Sequence, residues 1–225
     1  MSVVNGCGQM DLIRKAIETA ERVFAKNSYF FGDFMTYRCD SLLVRIIDQE
    51  NIFLDSYPFK SENLCGMLIV DEYEKTIVYN STLIAERRNF TIAHELGHYF
   101  LHRDKQSKFT DRSKDIDDNT LNELEMQANV FAAQLILPNS IVLHLLQNGL
   151  HYFQIKKKVQ ISYQALYWRL VNYLINNHGL NKSIAQQVVE EFRYFSEASM
   201  NNIVHHKMAS IYSIVTRTER QKFFV

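Results

Sequence analysis

From Met10 to Phe24 the apolar residues Leu12, Ile13, Ala16, Ile17, Ala20 and Val23 recur at helical spacing, behind an Asp11 placed to cap the first turn. The chain therefore opens on an amphipathic helix. Between Ser41 and Asn80 the period changes to short β-rich runs, Leu42 to Ile47, Ile52 to Leu54, Met67 to Val70 and Thr76 to Tyr79, with Asp71 to Lys75 as a hairpin turn. Helical spacing returns over Ala85 to Arg103 and again over Asn122 to Leu137, where Pro138 disfavours helical geometry at the residue before it. The intervening Arg103 to Thr120 has only Phe109 and Ile116 as apolar residues, which reads as a mobile surface loop. Beyond Ser140 the pattern is helical throughout, over Ile141 to Gln147, His151 to Lys158, Tyr163 to Ile175, Ser183 to Ala198 and Asn202 to Ile214. This predicts an α+β fold: a small mixed or antiparallel sheet packed on two helices, with a core over residues 1–138 and a helical region over 139–225.

Composition narrows the picture. A 47% hydrophobic fraction in 225 residues builds a core, and two Pro and seven Gly are too few for a turn-rich sandwich or barrel. The 25 basic and 25 acidic side chains cancel, so any attraction to nucleic acid or an anionic membrane has to be local. Three cysteines without framework spacing, and an N-terminus lacking a basic-then-apolar pattern, point to a reducing, cytoplasmic setting. No apolar run approaches the ~18 residues of a membrane span. No Asp or Glu occurs from Met126 through Val189, where Lys156, Lys157, Lys158, Arg169 and Lys182 fall, so the C-terminal half is modestly basic.

The chemistry lies in His94-Glu95-Leu96-Gly97-His98, an H-E-x-x-H motif on a predicted helix. Residues four apart share a face, so two imidazoles can grip one metal ion while Glu95 projects beside them as a base. Ile92, Ala93, Leu96, Tyr99 and Phe100 occupy the other faces, so the helix is apolar nearly all round and buried. Two histidines and a glutamate inside such a helix need partners, and a metal such as Zn2+ serves all three. The competing reading is a buried helix whose histidines are merely hydrogen-bonded.

A third ligand has to come from another element. On the next helix Glu125 and Asn129 lie four apart, flanked by Ala128 and Ala132, small enough for close helix approach. That makes Glu125 the ligand and Asn129 a support behind the ligands. Glu123 is the competing choice; roughly 160° round the wheel from Glu125, it faces away if Glu125 faces the metal. His102 extends the histidine row, but eight residues at ~1.5 Å each span about 12 Å, too far for one ion, so it reads as a supporting or packing residue.

The segment Arg87-Arg88-Asn89-Phe90-Thr91-Ile92-Ala93-His94-Glu95-Leu96-Gly97-His98-Tyr99-Phe100-Leu101-His102, followed by Glu125-Met126-Gln127-Ala128-Asn129-Val130-Phe131-Ala132-Ala133-Gln134-Leu135-Ile136-Leu137-Pro138, closely resembles the ImmA/IrrE family of gluzincin-like zinc metallo-endopeptidases. Ile161 to Leu170 also looks like a family segment. The resemblance implies His94, His98 and Glu125 as zinc ligands, Glu95 as general base, and a helix-turn-helix transcriptional repressor as the protein substrate. The family often has an acid where Gln127 stands, a departure of little weight if Glu125 is the ligand.

Five readings remain beside this one. His151 to Ile175 has the outline of a DNA-reading helix-turn-helix, yet Leu166, Leu170, Val171 and Leu174 form an inward stripe and Tyr163, Tyr167 and Trp168 favour packing, so direct DNA binding is not expected. Lys156 to Lys158 reads as a solvated face or a docking patch for an acidic partner. Tyr99, His144, His151 and Tyr152 are oxyanion-donor candidates by residue type alone. Thr76 to Asn80, just before the motif helix, is expected as the edge strand that pairs with an extended substrate. Outside the enzyme class stands a non-catalytic metal-binding regulator that binds a repressor or DNA, against which an intact Glu95 argues.

Overall fold

The computed structural model describes residues 4–61, 64–104, 108–112, 119–200 and 211–215. They divide into two compact units, one built from residues 1–30 and 38–138, the other from 31–37 and 139–225.

The first unit opens with α1 (Val4–Ser28), whose Ala16, Ala20, Val23 and Phe24 form a buried stripe. The helix starts well before Asp11, so that residue is no cap. It sits on the exposed face, 2.8 Å from Arg14 one turn on. The run Leu42 to Ile47, expected as a strand, lies inside α2 (Cys39–Gln49). Leu42, Leu43, Ile46 and Ile47 are buried and Val44 is exposed, which is a helical period; a short apolar run alone does not separate helix from strand.

The sheet holds β1 (Phe53–Tyr57), β2 (Leu64–Val70), β3 (Lys75–Asn80) and β4 (Lys108–Arg112), in the order β1-β3-β2-β4. The β2–β3 hairpin turns at Asp71, whose carboxylate accepts from the backbone N–H groups of Tyr73 and Glu74 at 2.8 Å. Two expectations fail here. Thr76 to Asn80 is not an edge: β3 pairs parallel with β1 on one side and antiparallel with β2 on the other. Nor is Arg103 to Thr120 a continuous loop, because residues 108–112 pair antiparallel with β2. An edge strand needs main-chain partners more than apolar side chains, so a polar strand escapes a hydrophobicity reading. Residues 105–107 and 113–118 of that segment lie outside the described residues.

Between β3 and β4 the chain forms α3 (Ala85–His102), and after β4 it forms α4 (Asn119–Ile136). Helix α3 is the centre of the unit, touching α1, α2, α4, β2, β3 and β4. Helix α4 lies against both α3 and α1, with Ala128, Phe131, Ala132, Leu135 and Ile136 buried. The stretch Glu123–Gln147 has the length and mean hydropathy of a membrane span without being a continuous apolar run. Pro138 interrupts it between two helices, and 61% of its most apolar part is buried inside the protein, as in a core helix.

The second unit contains a 3-10 turn (Phe34–Thr36) and helices α5 (Asn139–Gln147), α6 (Tyr152–Val159), α7 (Tyr163–His178) and α8 (Lys182–Met200), with residues 211–215 also helical. Of the helix expected over Asn202 to Ile214, residues 202–210 lie outside the described residues. His151 and Gln154 form a capping box at the start of α6, Gln160 ends that helix in the left-handed region, and Ser162 caps α7 by accepting from the Ala165 N–H. Leu166, Leu170, Val171 and Leu174 are buried as expected, but Tyr163 and Trp168 are substantially exposed. The lysines make no uniform solvated face either. Lys156 lies over the Tyr163 ring at 4.8 Å and Lys158 donates to the Met35 carbonyl, which leaves Lys157 exposed.

Candidate metal centre

Helix α3 is buried almost all round from Asn89 to Tyr99, and its neighbours are accommodated by two glycines. Gly97 lies where α4 crosses: a Cβ there would stand 3.0 Å from the Ala128 Cα and 3.1 Å from its carbonyl oxygen. The expected small residue Ala128 is thus matched by a second one inside the motif. On the sheet side, a Cβ at Gly66 of β2 would stand 2.4 Å from Thr91 Cγ2 and 3.0 Å from Glu95 Oε1. Gly66 opens the space in which the Glu95 carboxylate lies. A bulge between Leu64 and Gly66 adjusts the β2–β4 register beside it.

Close packing of α3 on α4 brings His94, His98 and Glu125 together, as a group that could hold a metal ion. The two Nε2 atoms are 3.1 Å apart. One Glu125 oxygen lies 3.1 Å from His94 Nε2 and the other 3.2 Å from His98 Nε2, so the carboxylate straddles the two rings. Donors at about 2.0–2.1 Å from a tetrahedral ion stand roughly 3.3 Å from one another, so this spacing fits such an ion. Both histidines are buried, while Glu125 is 37% exposed and Glu123 points into solvent. Burial works to raise the Glu125 pKa, but hydrogen bonds from His94 and His98, together with their charges, outweigh it and hold the carboxyl at about 2.

The outer ring nitrogens have partners of their own. His94 Nδ1 is 3.1 Å from Asn129 Oδ1, on the helix face that carries Glu125. His98 Nδ1 is 3.1 Å from His102 Nδ1, and His102 Nε2 is 3.1 Å from Gln127 Oε1. Sequence reasoning gave no role to Gln127, Gly66 or Gly97. The available signal for Gln127 was a polar residue three short of Val130 and one before Ala128, inside the apolar stripe of α4.

Of the oxyanion candidates, Tyr99 is buried with its hydroxyl donating to Glu50 at 3.2 Å, and the Tyr152 hydroxyl donates to the Tyr163 carbonyl at 2.7 Å. Both are committed within the fold. His144 lies 3.6 Å from Asp33 in the second unit, and His151 stands at the N-cap position of α6, its N–H donating to Gln154 Oε1 at 3.0 Å.

Parts of the chain match known proteins. A 79-residue stretch is 35% identical to uncharacterized immunity region protein 2 of Bacillus phage phi105, covering 35% of this chain and 48% of that protein. A 78-residue stretch is 41% identical to metallopeptidase ImmA of Bacillus subtilis strain 168, covering 34% of this chain and 41% of that one. The matched segments thus span less than half of either relative. The profile of peptidase family M78, described as the IrrE N-terminal-like domain, matches residues 42–171, more than half of the chain and the whole of the His-Glu-His and Glu125 constellation. The chain therefore belongs to the M78 metallopeptidase family, the ImmA/IrrE group that its motif helix resembles.

Proposed function

We propose that this protein is a zinc-dependent endopeptidase that cuts a protein substrate at one position, the substrate being a helix-turn-helix transcriptional repressor. The observation that carries the reading is the juxtaposition of three donors, His94 Nε2, His98 Nε2 and the Glu125 carboxylate at 3.1–3.2 Å spacing, with an acidic residue, Glu95, next to the first of them in a buried helix. A structural tetrahedral site has no use for such a neighbour. His94, His98 and Glu125 would hold the ion, which when bound supplies a Lewis acid that acidifies water and polarises the scissile carbonyl. Glu95 takes the proton from the attacking water and returns it to the leaving amine. Gly66 leaves the room beside β2 in which that carboxylate stands.

An extended substrate segment is best received by β4, an edge among the described strands and the neighbour of β2, which carries Gly66. The repressor follows from the family resemblance and agrees with the name of the phage relative, an immunity region protein. Direct DNA reading is disfavoured by α7, the would-be recognition helix, whose one Lys or Arg is Arg169; that side chain is buried and donates to Asn139 at 2.7 Å. The test incubates zinc-loaded protein with a helix-turn-helix repressor encoded beside it and reads products by intact mass. One cut by the wild type, and none by a Glu95→Gln variant of equal zinc content, is expected. Equal cutting by that variant overturns the mechanism, and no cutting by the loaded wild type overturns the substrate.

A further inference from the structure

The buried chain of hydrogen bonds behind His98 does not end at Gln127. The Gln127 amide nitrogen donates to the backbone carbonyl of Leu12 at 3.0 Å, in helix α1. His98, His102 and Gln127 are each at most 3% exposed, so solvent does not substitute for any of these partners. Leu12 lies before residue 42, where the family match begins. An element outside the matched domain therefore terminates a chain that starts at a candidate metal ligand.

The direction of that chain follows from its two ends. A backbone carbonyl only accepts, so the amide nitrogen of Gln127 must face Leu12 and its Oε1 must face His102. Oε1 in turn only accepts, so His102 carries its proton on Nε2 and presents a bare Nδ1 to His98. His98 then carries a proton on Nδ1, and its Nε2 is the atom turned to the Glu125 and His94 cluster. Starting from the other end gives the same answer, because a ring that holds a metal through Nε2 has its proton on Nδ1. Each link agrees with the next only if residue 127 both accepts and donates. A carboxylate there would accept from His102 but set an acceptor against the Leu12 carbonyl.

We propose that Gln127 and His102 are positioning residues for the metal centre: a one-way relay, His98 to His102 to Gln127 to Leu12, fixes the His98 tautomer and ring angle and makes α1 part of the site. The inference rests on the metal-site reading above, and it adds that a glutamine, and not the acid common in the family, is the residue this chain requires. Partners of this kind behind a ligating histidine contribute about 10- to 100-fold to metal affinity.

The test has two arms. Long-range proton–nitrogen NMR on the uniformly labelled wild-type protein, without added metal and with zinc, reads the tautomers directly. His102 protonated on Nε2 and His98 protonated on Nδ1 are expected in both states, and His102 protonated on Nδ1 overturns the relay with no variant involved. In the second arm, competition with a chromophoric chelator measures zinc affinity of Gln127→Met and Gln127→Glu, each checked for an unchanged circular dichroism spectrum. A loss of 10-fold or more is expected for Gln127→Met, with no recovery in Gln127→Glu. Affinity within twofold of wild type for both folded variants overturns the proposal. Failure of the wild type to bind zinc sinks the metal-site reading instead, and the tautomer arm still decides the relay.

Discussion

Replacing Gly97 by Ala tests whether the closeness of two helices makes the metal centre. The added Cβ would stand 3.0 Å from the Ala128 Cα, 3.1 Å from its carbonyl oxygen and 3.2 Å from Phe131 Cδ1. Two of these three neighbours are backbone, so no rotamer change relieves the contact. To restore ordinary carbon contact at about 3.5–4.0 Å, α4 must recede by roughly 0.5 Å. Glu125, one turn before Ala128, travels with it, and its 3.1 and 3.2 Å approaches to the histidine nitrogens widen beyond the roughly 3.3 Å edge of a tetrahedral site. Stability gains about 0.8–1.0 kcal/mol of helix propensity and loses about 1–3 kcal/mol to overpacking. The net is a cost of up to about 2 kcal/mol, a few degrees in Tm. Zinc affinity should fall by about tenfold or more, because ligand geometry suffers more than the fold. Calorimetry and chelator competition read the two effects separately. A Gly97→Ala protein with wild-type zinc affinity and a raised Tm would refute the reasoning, and so would rescue by Ala128→Gly, since the contact is with main chain.

The remaining predictions concern single residues. Glu125→Ala should lose most bound zinc by elemental analysis, whereas Glu123→Ala, exposed on the opposite face, should keep it. Gly66→Ala should keep zinc yet lower turnover by about 10- to 100-fold, because its Cβ displaces Thr91 and with it Glu95, and adding Thr91→Ser should restore part of the loss. Burial, helped by the Asp40 charge, pushes the Cys39 thiol up to about 12. The folded pKa lies above the unfolded value, so the stabilisation is intact below about pH 8.5 and declines as pH rises, by about 1.4 kcal/mol per unit, until the folded thiol ionises. Urea titrations between pH 8 and 10 should show this decline in the wild type and a shallower one in Cys39→Ala.

The parts of the site that lie on single helices were legible because helical spacing is local. His94 and His98 share a face, as do Glu125 and Asn129, and those four meet in the structure. The Ala128 and Ala132 pair correctly signalled a close helix crossing. What stayed hidden was non-local. Gly66 matters because Glu95 lies across from it on another element, and Gln127 because Leu12 faces it from more than a hundred residues away. Sheet order was equally opaque. The polar β4 carries no alternation to announce it, and only the parallel pairing of β1 with β3 moves Thr76 to Asn80 into the interior. Leu42 to Ile47 failed for a different reason: a hexapeptide that is apolar but for Arg45 satisfies two periods at once, and its burial on one helical face settled the choice.

The placement of α3 between β3 and β4 orders events during synthesis. Strand β2 (Leu64–Val70) is the most apolar of the sheet, yet the strand that covers its outer edge is translated only after the whole motif helix. While β3 and α3 emerge, that edge offers bare amides and carbonyls beside Leu64, Cys65, Met67, Leu68 and Ile69. Such an edge invites pairing with a neighbouring nascent chain. Strand β4 arrives last, and its main-chain pairing with β2 withdraws that edge from such encounters.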